Sequence, residues 1–197
     1  MRSSDFRGVL LSGTGNTVLN DGQIIARSTG VELTGANGLI RNTGTVLTEA
    51  GIALQTRGDN SVVTNEGRLT GATGIFAQGA RSEIINSGTI LSDGNGMTTT
   101  GADTLILNTG SVTAGGFGIQ AQANAIIRNT GSIVSMAEAA VEFETTGRID
   151  RVVNSGKIEG GTEGIASRGD ASLGVHNTGS ISATTIAITM TAGSIWN

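Results

Sequence analysis

Carboxylates and arginines gather in one stretch of this chain. Glu138, Glu142, Glu144, Arg148, Asp150 and Arg151 lie close together, and Glu163 follows. Two carboxyl groups roughly 5–9.5 Å apart can hydrolyse a glycosidic bond, one as acid and the other as base or nucleophile. The same cluster can instead form an interaction surface or a solvated turn with partly paired charges. Little else in the composition can do chemistry. There is no Cys, so neither a disulfide nor a thiolate metal site can form. His176 is the only histidine, which excludes a histidine-ligated metal centre. With 12 basic against 16 acidic residues and a net charge of −4, a nucleic-acid partner is not expected. Met1–Phe6 is polar and no long apolar run follows, so neither a signal peptide nor a membrane span is visible.

What would position these groups is a repeat. Asn20, Asn42, Asn65, Asn86, Asn108, Asn129, Asn154, Asn177 and Asn197 recur at intervals of 20 to 25 residues. Each of the first eight opens an Asn-x-Gly-x-aliphatic motif, such as Asn86-Ser-Gly-Thr-Ile. Two residues before each Asn stands Val or Ile, from Val18 to Ile195, and six residues after it only Ala, Gly, Ser or Thr. A third apolar column, usually preceded by Gly, reads Val31, Ile52, Ile75, Met97, Ile119, Val141, Ile165 and Ile186. Fixed positions two apart, with polar residues such as Thr45, Arg68 and Lys157 between them, are the signature of strands that bury one face.

Each unit of about 22 residues therefore reads as three short strands, none able to form a core alone. Stacking the units creates one. The predicted fold is all-β, a parallel β-helix (β-solenoid) of about eight coils, with residues 1–7 a tail or incomplete coil and 8–197 a single domain. Gly at 32 positions, five aromatic residues and no Pro fit a narrow aliphatic core whose strands all donate to ladders. The asparagines are expected to form a side-chain ladder along the rod and to occupy a left-handed corner. The Gly two residues later is expected to relieve a Cβ clash.

Within this frame Glu138 and Glu163 fall in one column on adjacent coils, whereas Glu49 and Asp93 are two coils apart, as are Asp59 and Asp103. Phe76, Phe117 and Phe143 are the aromatic candidates for stacking on sugars. The coil of residues 129–153 is the longest and carries Ala140-Val141 in place of Gly-Ile, so a bulge or loop is expected there, presenting Glu138, Glu142, Glu144, Arg148, Asp150 and Arg151 as a candidate interaction surface. Two Arg-Gly-Asp tripeptides, Arg57–Asp59 and Arg168–Asp170, could bind integrins, but turn chemistry accounts for them. Hydroxyl pairs such as Thr43/Thr45 and Ser87/Thr89 resemble an ice-binding array, interrupted by Glu66/Arg68 and Lys157. No cofactor is expected. Gly13–Val18 resembles one nonapeptide of the calcium-binding repeats, with Asn16 in place of the usual Asp and no nine-residue period after it.

From about Gly8 to Asn197, the recurring Asn-[Ser/Thr]-Gly-x-[Ile/Val] with a later Gly-Ile resembles the β-helical passenger domains of bacterial autotransporter adhesins and the repeats of large secreted adhesin-like proteins. The resemblance implies a right-handed parallel β-helix serving as an extracellular or cell-surface rod, with a host or surface glycan or protein as receptor. It also implies a passenger fragment, since the autotransporter's signal peptide and barrel are not in this stretch. The expected function is a non-enzymatic structural or adhesive rod. The alternative is a polysaccharide lyase or hydrolase using the acids of Glu138–Asp150 and Glu163. Open solenoid ends, which expose unpaired strand edges, lead to a further expectation: head-to-tail stacking of copies, or continuation in a longer chain.

Overall fold

The stacking of equivalent strands expected from the repeat is what the chain does. The computed structural model describes residues 7–122, 124–144, 149–169 and 172–197. The first coil runs through β1 (Arg7–Leu11), β2 (Thr17–Asn20) and β3 (Gln23–Ala26). Later coils repeat this order to Ala192–Trp196, and no helix occurs among the described residues. Each strand pairs in parallel with its equivalent one coil away, giving 9-, 9- and 8-stranded sheets headed by β1, β2 and β3 respectively. Ladder asparagines lie directly over one another, as in Asn42 over Asn65 and Asn86 over Asn108. At roughly 4.8 Å per coil the stack is a rod about 40 Å long.

The core is three aliphatic columns, one from each sheet. Ile40, Val63, Ile84, Ile106, Ile127, Val152 and Val175 of the second sheet are fully buried, as are Val46, Leu69, Ile90, Val112, Ile133 and Ile158 of the third. In the first sheet the column differs from expectation at two coils. Leu54, not Ile52, pairs with Val31 and Ile75, and Ile188, not Ile186, pairs with Ile165. Leu54 is fully buried while Ile186 is 47% exposed. In these coils Ala53 and Ala187 take the place of the usual Gly, so the visible Gly-Ile of Gly51-Ile52 is a decoy two residues early. A buried aliphatic contributes about 1.5–3 kcal/mol by leaving water, so choosing Leu54 over Ile52 is decided by which side chain reaches the interior.

The left-handed corner also lies elsewhere than predicted. Positive φ occurs five residues before the ladder position, at Gly15 (71°), Asn37 (58°), Asn60 (56°), Arg81 (55°), Asp103 (60°) and Asn124 (60°), and not at the ladder asparagines. One residue later a turn cap follows: Ser61, Ser82 and Thr104 each donate to a carbonyl three residues back. Asn16, in the calcium-like stretch, does the same to Ser12 and Gly13. The glycine after the ladder Asn behaves as expected. A Cβ on Gly88 would collide with the carbonyl oxygen of Gly67, and one on Gly110 with that of Gly88. These glycines are required by close coil-to-coil approach, whereas Gly15 is favoured by its φ and has open space around it.

Two substitutions separate these roles. Gly88→Ala should cost about 3 kcal/mol or more, because backbone must move. Gly15→Ala should cost about 1 kcal/mol, the penalty for a left-handed non-glycine residue. Urea unfolding of both variants checks the order, and a Gly15→Ala loss equal to that of Gly88→Ala would refute it.

Candidate functional site

Three sets of side chains stand out on this scaffold, and the first is the ladder. Each asparagine Nδ2 donates to Oδ1 of the asparagine one coil further on, at 2.6–2.8 Å from Asn20 through to Asn197. The same amide also donates to the carbonyl of its own following glycine, as in Asn108 to Gly110 at 3.3 Å. Asn42 through Asn154 are essentially buried. Their polarity is tolerated there because donors and acceptors are matched along the whole row. Asn108→Ala should orphan the Asn86 donor and the Asn129 acceptor and cost about 2–4 kcal/mol. Asn20→Ala, at the edge of the stack, should cost about 1 kcal/mol by the same reasoning. Denaturant midpoints of the two variants test this.

The second set is a polar column on the first sheet, where Glu32, Gln55, Phe76, Thr98, Gln120 and Glu142 stack in register. Glu32 is only 2% exposed and is gripped by Arg7 and Arg57, each with Nε 2.6 Å from a carboxylate oxygen. Arg57 also donates to Gln78 Oε1 at 3.0 Å, and Asp59 accepts from the Ala80 amide at 2.9 Å. The first Arg-Gly-Asp is thus bound into the stack by its own charges. Further along, Asn95 donates to Gln120 Oε1 at 3.0 Å. Arg168 then spans two acids, with Nε 3.1 Å from Glu142 and Nη2 2.6 Å from Glu163.

The expected carboxylate arrangement changes accordingly. Val141 pairs with Ile165, an offset that puts Glu163 level with residue 139, so Glu138 and Glu163 do not share a column. Glu163 is instead joined to Glu142 through Arg168. Nor are the charges of residues 138–151 one surface. Glu142 is buried at 3% exposure, between Gln120 and Ala166 in its column and under Arg168, and Asp150 is fully buried, accepting from the Ala125 amide at 2.9 Å. Glu138, Glu144 and Arg151 are exposed. Residues 145–148 of the coil expected to bulge, Arg148 among them, lie outside the described residues, as does Asp170 of the second Arg-Gly-Asp. Phe143 is fully buried in the core and cannot stack on a sugar. The hydroxyl column Thr45, Arg68, Thr89, Ser111, Ser132, Lys157 is interrupted by charge, and aliphatic Leu47 and Leu91 lie beside it. Among the described residues no group of three or more His, Asp or Glu side chains could hold a metal ion.

Burial pushes the Glu142 carboxyl above its ordinary value of 4.5, outweighing the opposing pull of Arg168. A group raised in this way contributes stability that is complete below the unfolded value and is lost as pH rises through the folded one. Glu142→Gln keeps Arg168 on Glu163, so it should be at least as stable as the parent at pH 7 and lose that advantage near pH 4. Urea titrations at both pH values test this, and a loss above about 1 kcal/mol at pH 7 would mean the ion pair outweighs its burial.

The third set was not expected. The outer face of the second sheet carries Leu19 (70% exposed), Leu39 (36%), Ile126 (38%) and Trp196 (57%), with Val62, Ile85, Leu105, Leu107 and Val153 half-buried between them. Depressions of about 240 Å³ beside Leu19 and Arg41 and about 300 Å³ beside Leu105 and Ile126 open onto it. The signal was in the sequence: runs such as Leu105-Ile106-Leu107 are apolar on both faces of a strand, which strict alternation does not allow. Comparison of the chain with protein-family models, curated proteins and solved structures found no match.

Proposed function

We propose that the chain is a non-enzymatic structural or adhesive rod of a bacterial surface or secreted protein, working outside the cell. The observation that carries this reading is the unbroken succession of identical columns. The Asn ladder and three aliphatic rows run from the first coil to the last, so the molecule offers long regular faces. Such faces suit contact with an extended partner or with a neighbouring rod. The extracellular placement rests on the resemblance of the Asn-[Ser/Thr]-Gly repeat to adhesin passenger repeats. A host or surface glycan or protein would be the receptor.

The rod reading extends to its edges. Asn20 Oδ1 points away from Asn42 at one end, and Asn197 continues the donor direction at the other. A further coil, from the same polypeptide or from a second copy stacked head to tail, would meet a matching ladder and the apolar residues Ile181, Ile188 and Ile195. One observation favours a second reading as a carbohydrate-active β-helix enzyme: Glu142 and Glu163 reach the same Arg168. That contact ties both acids to one guanidinium and leaves Glu142 buried, which suits a structural clamp better than a proton shuttle.

The deciding experiment has two parts. Electron microscopy of the purified chain should show short rods or their end-to-end strings. A polysaccharide panel should release no reducing sugar above background. Sugar release that disappears with Glu163→Gln would overturn the structural reading in favour of the enzyme.

A further inference from the structure

We propose that the outer face of the second sheet is the contact between two copies of this chain, packed side by side and antiparallel. The proposal needs only this face and not the adhesive role or the ends of the rod. The face combines an apolar stripe with three charges that form no ion pair among the described residues. Leu39, Leu105 and Ile126 lie in one outward column, and Ile85, Leu107 and Trp196 in the next. Within the stripe stand Glu83, Arg128 and Arg151. Arg41, on the same face, pairs with Glu66, and elsewhere Arg7, Arg27, Arg57, Arg81, Lys157 and Arg168 form ion pairs within the chain, whereas Arg68 of the third sheet forms none among the described residues. Glu83, Arg128 and Arg151 have no ion pair among those of the described residues.

Their spacing says why, and how a second copy would satisfy them. In register, Glu83 is followed by Leu105, then Ile126 beside Arg128, then Arg151. The acid is therefore two and three coils from the two cations, about 10 and 14 Å along the rod, too far to pair within one chain. A two-fold axis along the strand direction, crossing the face at Leu105 or just beyond it, reverses the coil order of the partner. Glu83 of each copy then meets Arg128 or Arg151 of the other, twice per dimer, while Leu105, Leu107 and Ile126 pack at the centre. Parallel copies would set every coil against itself. Glu83 would face Ile85, and the charges would stay as far apart as they are in one chain. Antiparallel packing alone pairs them, and an isologous contact of this kind closes at two copies.

The stripe is roughly 40 Å by 13 Å, so each copy would bury about 500 Å², at the lower limit for a specific interface. Association should accordingly be concentration-dependent, with a dimer evident at roughly 100 µM. Sedimentation equilibrium of the 197-residue chain tests this. Leu107→Asp, on the outer face, should leave the far-ultraviolet circular dichroism unchanged and abolish the dimer. Glu83→Arg should weaken it about tenfold, and adding Arg128→Glu and Arg151→Glu should restore it.

Orientation is read separately, since the chain has no cysteine of its own. With a thiol-specific bifunctional reagent of about 10 Å reach, the spacing of facing sheets, Leu105→Cys should cross-link to itself across the axis, and Leu39→Cys, far from the axis, should not. Equal cross-linking of both would overturn the antiparallel arrangement. A monomer at millimolar concentration would overturn the contact. Growth beyond dimers that Leu107→Asp leaves untouched would place the association at the rod ends, and would also overturn it.

Discussion

The backbone hydrogen bond between successive coils holds each residue about 4.8 Å from its equivalent in the coils before and after. Every column must then be chosen so that a side chain tolerates its own kind, or its neighbour's, at that distance. Aliphatic residues do so by packing, and they fill the interior. Asparagine does so because its amide is donor and acceptor at once, so a row of asparagines satisfies itself without water. From Gly44 to Gly179, glycine stands two residues after the ladder Asn because the carbonyl of the previous coil occupies the space a Cβ would need.

Charge obeys the same constraint in a different way. Like charges cannot stack one coil apart at low cost, so Glu32 and Glu142 are isolated in their column and reached by arginines of neighbouring coils. Glu32 takes Arg7 and Arg57, and Glu142 shares Arg168 with Glu163. Each clamp ties a strand of the first sheet to its neighbouring coils. Breaking one partner would leave a buried charge uncompensated, which is why these acids read as parts of the scaffold. Glu83, Arg128 and Arg151 form no ion pair among the described residues, and they sit among the apolar outward columns of the second sheet.

Much of the fold was legible because a repeat multiplies weak signals. A single Asn or Val means little, but nine asparagines with a β-branched residue two positions earlier define strands, register and interior together. The errors arose where one coil departs from the others. Ile52 and Ile186 follow the visible pattern yet lose the core to Leu54 and Ile188, because Ala replaces Gly one step before the true column. The tolerance of Asn for left-handed backbone points to a corner at the ladder position. The corner belongs to a position five residues earlier, where Asn, Asp, Arg and Gly alternate and no single residue type announces it.

The sequence by itself determined the architecture: strand period, three strands per coil, the Asn ladder and the aliphatic composition of the core. These follow from local alternation and from a period of about 22 residues, both of which are one-dimensional quantities. Only the tertiary structure decided which charges are buried and which face is free. Arg168 lies 26 residues from Glu142 and 5 from Glu163, and nothing in that spacing says that one guanidinium joins the two acids. Runs such as Leu105-Ile106-Leu107 hint at the apolar outer stripe, but it becomes one continuous face only when the strands of the second sheet are brought side by side. Burial is a property of the assembled rod, set by what the neighbouring coils and turns cover.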